Sequence, residues 1–230
     1  MDTWPRFLLA GDRGLLVEYG DKIDPEINKK IRGIFLTQEK FPIPGVTEIV
    51  PTYRSLLVFY DPEKTSPDRL QVELLELEKK QGEATIPPPE IFEIPVAYGG
   101  EYGPDLAFVA RHNGIPPEEV IAIHTQETYL IYMLGFTPGF PFLGGLSEKL
   151  FTPRLKTPRV VVPAGSVGIA NNQTGIYPID SPGGWQLIGR TPRKLYDPKR
   201  MNPILLKAGS YLRFKNISAE EYKRILQEGK

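Results

Sequence analysis

The sequence predicts an α+β protein, a small α+β domain followed by a domain of short strands closed into a barrel. Three observations carry that prediction. Up to about residue 82, strand-like and helix-like periodicities alternate. A stiff Pro87-Pro88-Pro89 run follows, and beyond Gly135 only short apolar runs remain, punctuated by Gly and Pro. Proline (24) and glycine (22) make up about a fifth of the 230 residues, many for a globular chain but too few for disorder.

Leu15, Val17 and Tyr19 alternate as a half-buried strand does. Asp24-Pro25-Glu26 supplies an N-cap, a first-turn proline and an acid at a helix start, with Ile27, Ile31 and Ile34 on the buried face. Val46 to Tyr60 reads as two strands around Pro51-Thr52, with Leu56-Leu57-Val58-Phe59 buried. Ser66-Pro67-Asp68 opens a second helix that buries Leu70, Leu74 and Leu77, and Gly82 is suited to close it. The order strand, helix, strand, strand, helix suits a small sheet covered on one face. The domain limits read 1–83, a proline-rich linker at 84–90, and 91–230.

The second domain opens with a strand from Ile91 to Ala97. Two short helices follow, Asp105 to Arg111 stopped by Asn113-Gly114, and Pro116-Pro117-Glu118 to about Ile123. Tyr129 to Leu134 reads as a strand, Gly135 to Tyr211 as the short strands of a barrel, and Ser218 to Gln227 as a closing helix.

Charge and composition exclude several functions. With 28 Lys+Arg against 28 Asp+Glu, the chain has no excess positive charge for wholesale nucleic-acid or anionic-membrane binding. The absence of cysteine removes disulfides, thiol nucleophiles and thiolate metal sites, and His112 and His124 are too few for a three-histidine zinc centre. No metal site is expected. The start, Met1-Asp2-Thr3-Trp4-Pro5-Arg6, lacks the order of a signal peptide, and no apolar run approaches the ~20 residues of a membrane span. The expected location is the cytoplasm.

Three segments are candidates for chemistry. Gly135-Phe136-Thr137-Pro138-Gly139-Phe140-Pro141-Phe142 promises a rigid loop with aromatic walls, and reads more readily as a barrel corner plugged by phenylalanine. Arg154, Lys156 and Arg159 precede Val160-Val161-Val162, read as a buried strand, and then a Gly165-Ser166 turn. An arginine fork suits carboxylate or phosphate, whereas a solvated basic edge would need no ligand. In the third, Gln173, Tyr177, Asp180, Ser181, Trp185 and Arg190 lie close in sequence. Ser181-Pro182-Gly183-Gly184 suits either an anion-binding nest or a plain turn. His124, at a helix end, fits a proton shuttle or a charged cap for the helix dipole, and His112 reads as a surface residue. No phosphate loop, dinucleotide fingerprint or hydrolase nucleophile elbow is present.

The same segments carry a resemblance. Gly135-Phe136-Thr137-Pro138-Gly139-Phe140, Pro163-Ala164-Gly165-Ser166-Val167, and Gly175-Ile176-Tyr177-Pro178 through Ser181-Pro182-Gly183-Gly184-Trp185 to Gly189-Arg190-Thr191 resemble one family. It is variously called the 5-oxoprolinase B subunit, the first subunit of allophanate hydrolase, or the KipI-type histidine-kinase inhibitor, and corresponds to carboxyltransferase-domain subdomains C and D. The likeness continues through Ile94-Pro95-Val96, Tyr98-Gly99-Gly100 and Tyr53 to Pro62.

The resemblance implies a cyclophilin-like barrel after the α+β domain, and one component of an ATP-dependent enzyme that opens 5-oxo-L-proline to L-glutamate together with 5-oxoprolinase A and C subunits. ATP would be held here or on a partner. Cations against phosphate and substrate carboxylate would come from Arg154, Arg159 and Arg190, with His124 as a further catalytic candidate. The Ser181 to Gly184 backbone and Gln173 would donate toward developing charge. Phe136, Phe140, Tyr177 and Trp185 would wall a pocket open to a partner, with Pro138 and Ser166 beside it. The rival implied reading is a regulator that binds a histidine kinase through an apolar patch. Prolyl isomerase activity would rest on the fold alone. The allophanate label lacks a Ser-rich amidase signature here.

Overall fold

The computed structural model describes residues 4–81 and 88–228. The chain divides into two compact units, Met1–Pro88 and Pro89–Lys230. Residues 84–87 of the expected linker, and Gly82, lie outside the described residues.

In the first unit, β1 (Arg6–Leu9), β2 (Gly14–Glu18), β3 (Val46–Pro51) and β4 (Ser55–Tyr60) form an antiparallel sheet in the order β1-β2-β4-β3. The β2–β4 register sets Leu15 beside Val58 and Val17 beside Leu56, and all four are buried. Strict alternation leaves Leu57 and Phe59 half-buried, so the expectation of a continuously buried Leu56–Phe59 run is corrected. The helices α1 (Pro25–Lys40) and α2 (Pro67–Lys79) begin where the caps predict. Asp24 Oδ1 accepts from the N–H groups of Glu26 (2.8 Å) and Ile27 (3.3 Å), and Ser66 Oγ accepts from that of Arg69. Ile31, Ile34, Leu70, Leu74 and Leu77 fill the core beneath them. Strand β1 has no counterpart in the sequence reading: it is an edge strand with Leu8 and Leu9 exposed, so it carries no buried alternation to read.

The second unit contains β5 (Ile91–Tyr98), α3 (Leu106–Asn113), α4 (Pro117–Gln126), β6 (Tyr129–Leu134), β7 (Pro141–Gly144), β8 (Arg159–Val162), β9 (Ser166–Ala170), β10 (Gln173–Ile176), β11 (Ser181–Gly183), β12 (Gln186–Arg190), β13 (Tyr211–Asn216) and α5 (Ala219–Glu228). Seven strands form one sheet in the order β10-β9-β12-β5-β13-β6-β7, and the end strands β10 and β7 pack together, nearly closing a barrel. β13 pairs with β5 in parallel, and the other pairings in this sheet are antiparallel. Ile94, Val96, Tyr129, Ile131, Val167, Ile169, Ile188 and Phe214 form the barrel core. The backbone at Gly103 presses on β12 so closely that a Cβ there would lie 1.9 Å from the Ile188 carbonyl oxygen.

Strands β8 and β11 form a separate two-stranded ribbon. Val160 is 85 % exposed and Val161 57 %, and only Val162 is buried. The expected buried Val160–Val162 strand is therefore corrected: among the described residues β8 has no partner but β11 and no sheet covering both faces.

Candidate functional site

A cavity of about 380 Å³ opens beside the β8–β11 ribbon. It is lined by Phe136, Phe140, Phe142, Arg154, Leu155, Pro158, Tyr177, Pro182, Gly183, Gly184 and Trp185. Phe140 sits at the centre of the aromatic wall. Its ring meets those of Phe136, Phe142, Tyr177 and Trp185 edge-on at 5.3–5.6 Å, an arrangement that matches ring edges to ring faces. The loop that carries it turns at Phe136 (φ 61°) and Gly139 (φ 83°), closed by the Phe140 N–H donating to the Thr137 carbonyl. Phe136 is held outward, 66 % exposed, at the mouth. Phe140 is buried as a corner plug would be, while Phe136 stands exposed beside the cavity.

Glycine sets the cavity's shape at one point. A Cβ on Gly183 would lie 2.4 Å from the Tyr177 hydroxyl oxygen, so the phenol occupies the space that a side chain would take. Burial pushes the Tyr177 phenol above its usual range, and hydrogen bonding to the Trp185 backbone and the charges of Arg154 and Arg159 oppose that rise. Arg154 forms no ion pair among the described residues and is the cation that faces the cavity.

The structure thus joins Phe136, Phe140, Arg154, Tyr177, Gly183, Gly184 and Trp185, and separates the rest of the candidates. Arg159 is committed to Asp105: its Nη2 donates to both carboxylate oxygens at 2.7–2.8 Å while Nη1 donates to the Trp185 carbonyl. Asp105 also accepts from the Leu187 N–H at 2.6 Å, so Arg159 serves as a clamp between the ribbon, β12 and the start of α3. Arg190 lines a different cavity, with its Nε donating to the Ala164 carbonyl. Pro138 is exposed on the loop, Ser166 is buried in β9, and Gln173 opens β10 opposite Ala170. Ser181 Oγ is buried without a hydrogen-bond partner among the described residues.

The segment Ser181 to Gly184, which suited either an anion-binding nest or a plain turn, forms neither. Ser181–Gly183 is a strand paired with β8, and neither glycine has the left-handed conformation a nest requires.

His124 is fully buried in the barrel core, outside the cavity. Thr174 Oγ1 donates to the Gly168 carbonyl, so its contact with His124 Nε2 (2.8 Å) has the imidazole donating. The other nitrogen, Nδ1, then accepts from the Tyr98 hydroxyl at 2.7 Å. Burial pulls the imidazole pKa down to about 3, so the ring is neutral. Both expectations for it are overturned: a sealed neutral ring neither shuttles protons to a cavity nor places positive charge at the end of α4. His112 is exposed and stacked on Phe108. Among the described residues no group of three or more metal-ligating side chains could hold an ion, and no helix is long and apolar enough to cross a membrane.

The model of the carboxyltransferase domain, subdomain C and D, matches residues 5–206. The chain belongs to that family. As a carboxyltransferase-domain C and D protein it is similar to the 5-oxoprolinase B subunit of Bacillus subtilis (strain 168), with 44 % identity over 228 residues and 95 % of each chain covered. It is also similar to the 5-oxoprolinase B subunit of Escherichia coli O157:H7, with 43 % identity covering 91 % of this chain and 94 % of that one. The crystal structure of TTHA0988 superimposes with a TM-score of 0.79 at 38 % identity. That match covers 90 % of this chain but 40 % of TTHA0988, so this chain spans under half of that protein's length.

Proposed function

We propose that this chain is the B subunit of a heteromeric, ATP-dependent 5-oxoprolinase that opens 5-oxo-L-proline to L-glutamate with ATP hydrolysis, together with A and C subunits in the cytoplasm. The observation that carries the reading is the cavity itself, in a chain 44 % identical to a 5-oxoprolinase B subunit. Its aromatic wall suits the apolar face of a small lactam ring, and Arg154 at its edge suits a carboxylate. A lactam is a poor electrophile; phosphorylating its oxygen activates the carbonyl carbon, water adds there, the ring C–N bond breaks as the nitrogen takes a proton, and hydrolysis of the resulting acyl phosphate releases phosphate and the open-chain carboxylate. One arginine and an aromatic wall do not supply that chemistry alone. The mouth supports a shared site: Phe136 is exposed beside it, and Val160 and Val161 are exposed on the ribbon that borders it, an apolar rim for a partner protein to cover.

The deciding experiment is ATP hydrolysis by the complex that co-purifies with the tagged chain, with and without 5-oxo-L-proline. Stimulation with glutamate formation, and no turnover by the chain alone, is the expected result. An intact complex without stimulation overturns the reading. Inhibition of histidine-kinase autophosphorylation without such turnover would assign the same rim to a regulatory partner.

A further inference from the structure

The barrel has a second cavity, of about 430 Å³, that shares no lining residue with the aromatic one. Arg190, Arg193, Lys194 and Lys223 line it, and Glu101 is the one carboxylate among the lining side chains. Four cations line this open concavity against one acid, and although Lys223 also acts on Glu220 along α5, the lining carries a positive excess in a chain whose total charge is zero. None of the four cations forms an ion pair among the described residues, although lysine and arginine elsewhere in the chain commonly do. The contrast is sharpest on α5, where Arg224 meets both Glu221 and Glu228 while the adjacent Lys223 meets neither. Arg190 is positioned by the backbone: its Nε donates to Ala164 at 2.9 Å, and the two terminal nitrogens of its fork make no hydrogen bond among the described residues. Arg193 is fixed at its base by its N–H donating to Thr191 Oγ1.

Arg193, Lys194 and Lys223 reach solvent, and like charges gathered around one concavity raise a positive potential there that draws in anions. One carboxylate would answer one of these charges. A chain of phosphates answers three or four, and an arginine fork with flanking ammonium groups is the set that phosphate oxygens select. The volume is that of a small-molecule site rather than a nucleic-acid track.

We propose that this cavity, formed by β12, the Thr191 to Lys194 segment and α5, is an oligophosphate-binding site on this chain. It does not depend on the ring-opening reading, because binding is measured without turnover.

The test is calorimetric titration of the full chain with tripolyphosphate and with ATP. Both are expected to bind, and affinity is expected to fall as salt is raised. Arg193→Gln combined with Lys223→Gln removes two exposed cations that hold no part of the fold, and is expected to weaken both ligands at least about tenfold. Arg154→Gln in the aromatic cavity is expected to leave them unchanged. Equal affinity for the two ligands assigns the site to free oligophosphate, and tighter ATP assigns it to a nucleotide. Absence of tripolyphosphate binding at millimolar concentration overturns the proposal. So does retention of affinity by the double variant, loss of it in Arg154→Gln, or tighter binding of an oligoglutamate peptide, which would point to an acidic protein segment instead.

Discussion

At the scale of single residues, burial decides what the titratable groups can do. The His124 imidazole, with a folded pKa of about 3 against ~6.5 in an unfolded chain, binds a proton more readily when unfolded. Its contribution to stability is therefore complete above pH 6.5 and is lost as pH falls from there toward 3. The loss amounts to roughly 2 kcal/mol between pH 6.5 and 4.5. Denaturant titrations across that range are expected to show a steeper acid loss in the parent than in His124→Gln, which keeps polar groups but no titration; identical slopes would contradict the neutral ring. Gly183 makes a second case. Gly183→Ala sets a methyl group against the Tyr177 phenol, and is expected to cost about 1–3 kcal/mol in urea unfolding, with altered Trp185 fluorescence as the aromatic wall shifts. That Tyr177, Trp185 and Gly183 belong together was legible in the sequence, because they fall within nine positions of one another. The commitment of Arg159 was not, since its partner Asp105 lies 54 residues away and carries no local mark. Arg193, Lys194 and Lys223 were unreadable for the same reason: α5 brings Lys223 to the others only in three dimensions.

At the scale of elements, local chemistry was legible where an element closes on itself. Asp24-Pro25 and Ser66-Pro67 marked the starts of α1 and α2, and Asn113-Gly114 marked the end of α3, where Gly114 adopts φ 69°. The Asp24→Ala variant removes an acceptor for two N–H groups and is expected to lower the stability of the first unit by about 1 kcal/mol, read from the urea midpoint. Elements defined by distant pairing mislead. A run of three valines has the composition of a core strand, and β8 nevertheless shows two of them to solvent because a two-stranded ribbon has no second layer. β1 misleads in the opposite sense, an exposed edge recognisable only from its neighbour β2.

At the scale of the molecule, those exposed valines become a prediction about assembly. Val160→Lys with Val161→Lys alters positions 85 % and 57 % exposed, so the folded chain is expected to keep its thermal midpoint within a few degrees. Light scattering with the co-purifying partner is expected to show association weakened at least tenfold, since charge is introduced into an apolar rim. Unaltered association would place the partner on another face. The barrel itself was legible in kind from its short, glycine-punctuated strands; its strand order was not, because no turn signal links β13 to β5, its parallel neighbour.

That pairing has a consequence for how the protein is made. β5 (Ile91–Tyr98) takes β13 (Tyr211–Asn216) as its parallel neighbour, across more than a hundred intervening residues. The first unit finds its strand partners within Met1–Pro88 and is able to fold while translation continues. β5 has one edge unfilled until the ribosome has delivered the last of the described strands. Through that interval the nascent barrel exposes an unpaired strand edge, and a chaperone that holds such edges would find its client in the second unit rather than the first.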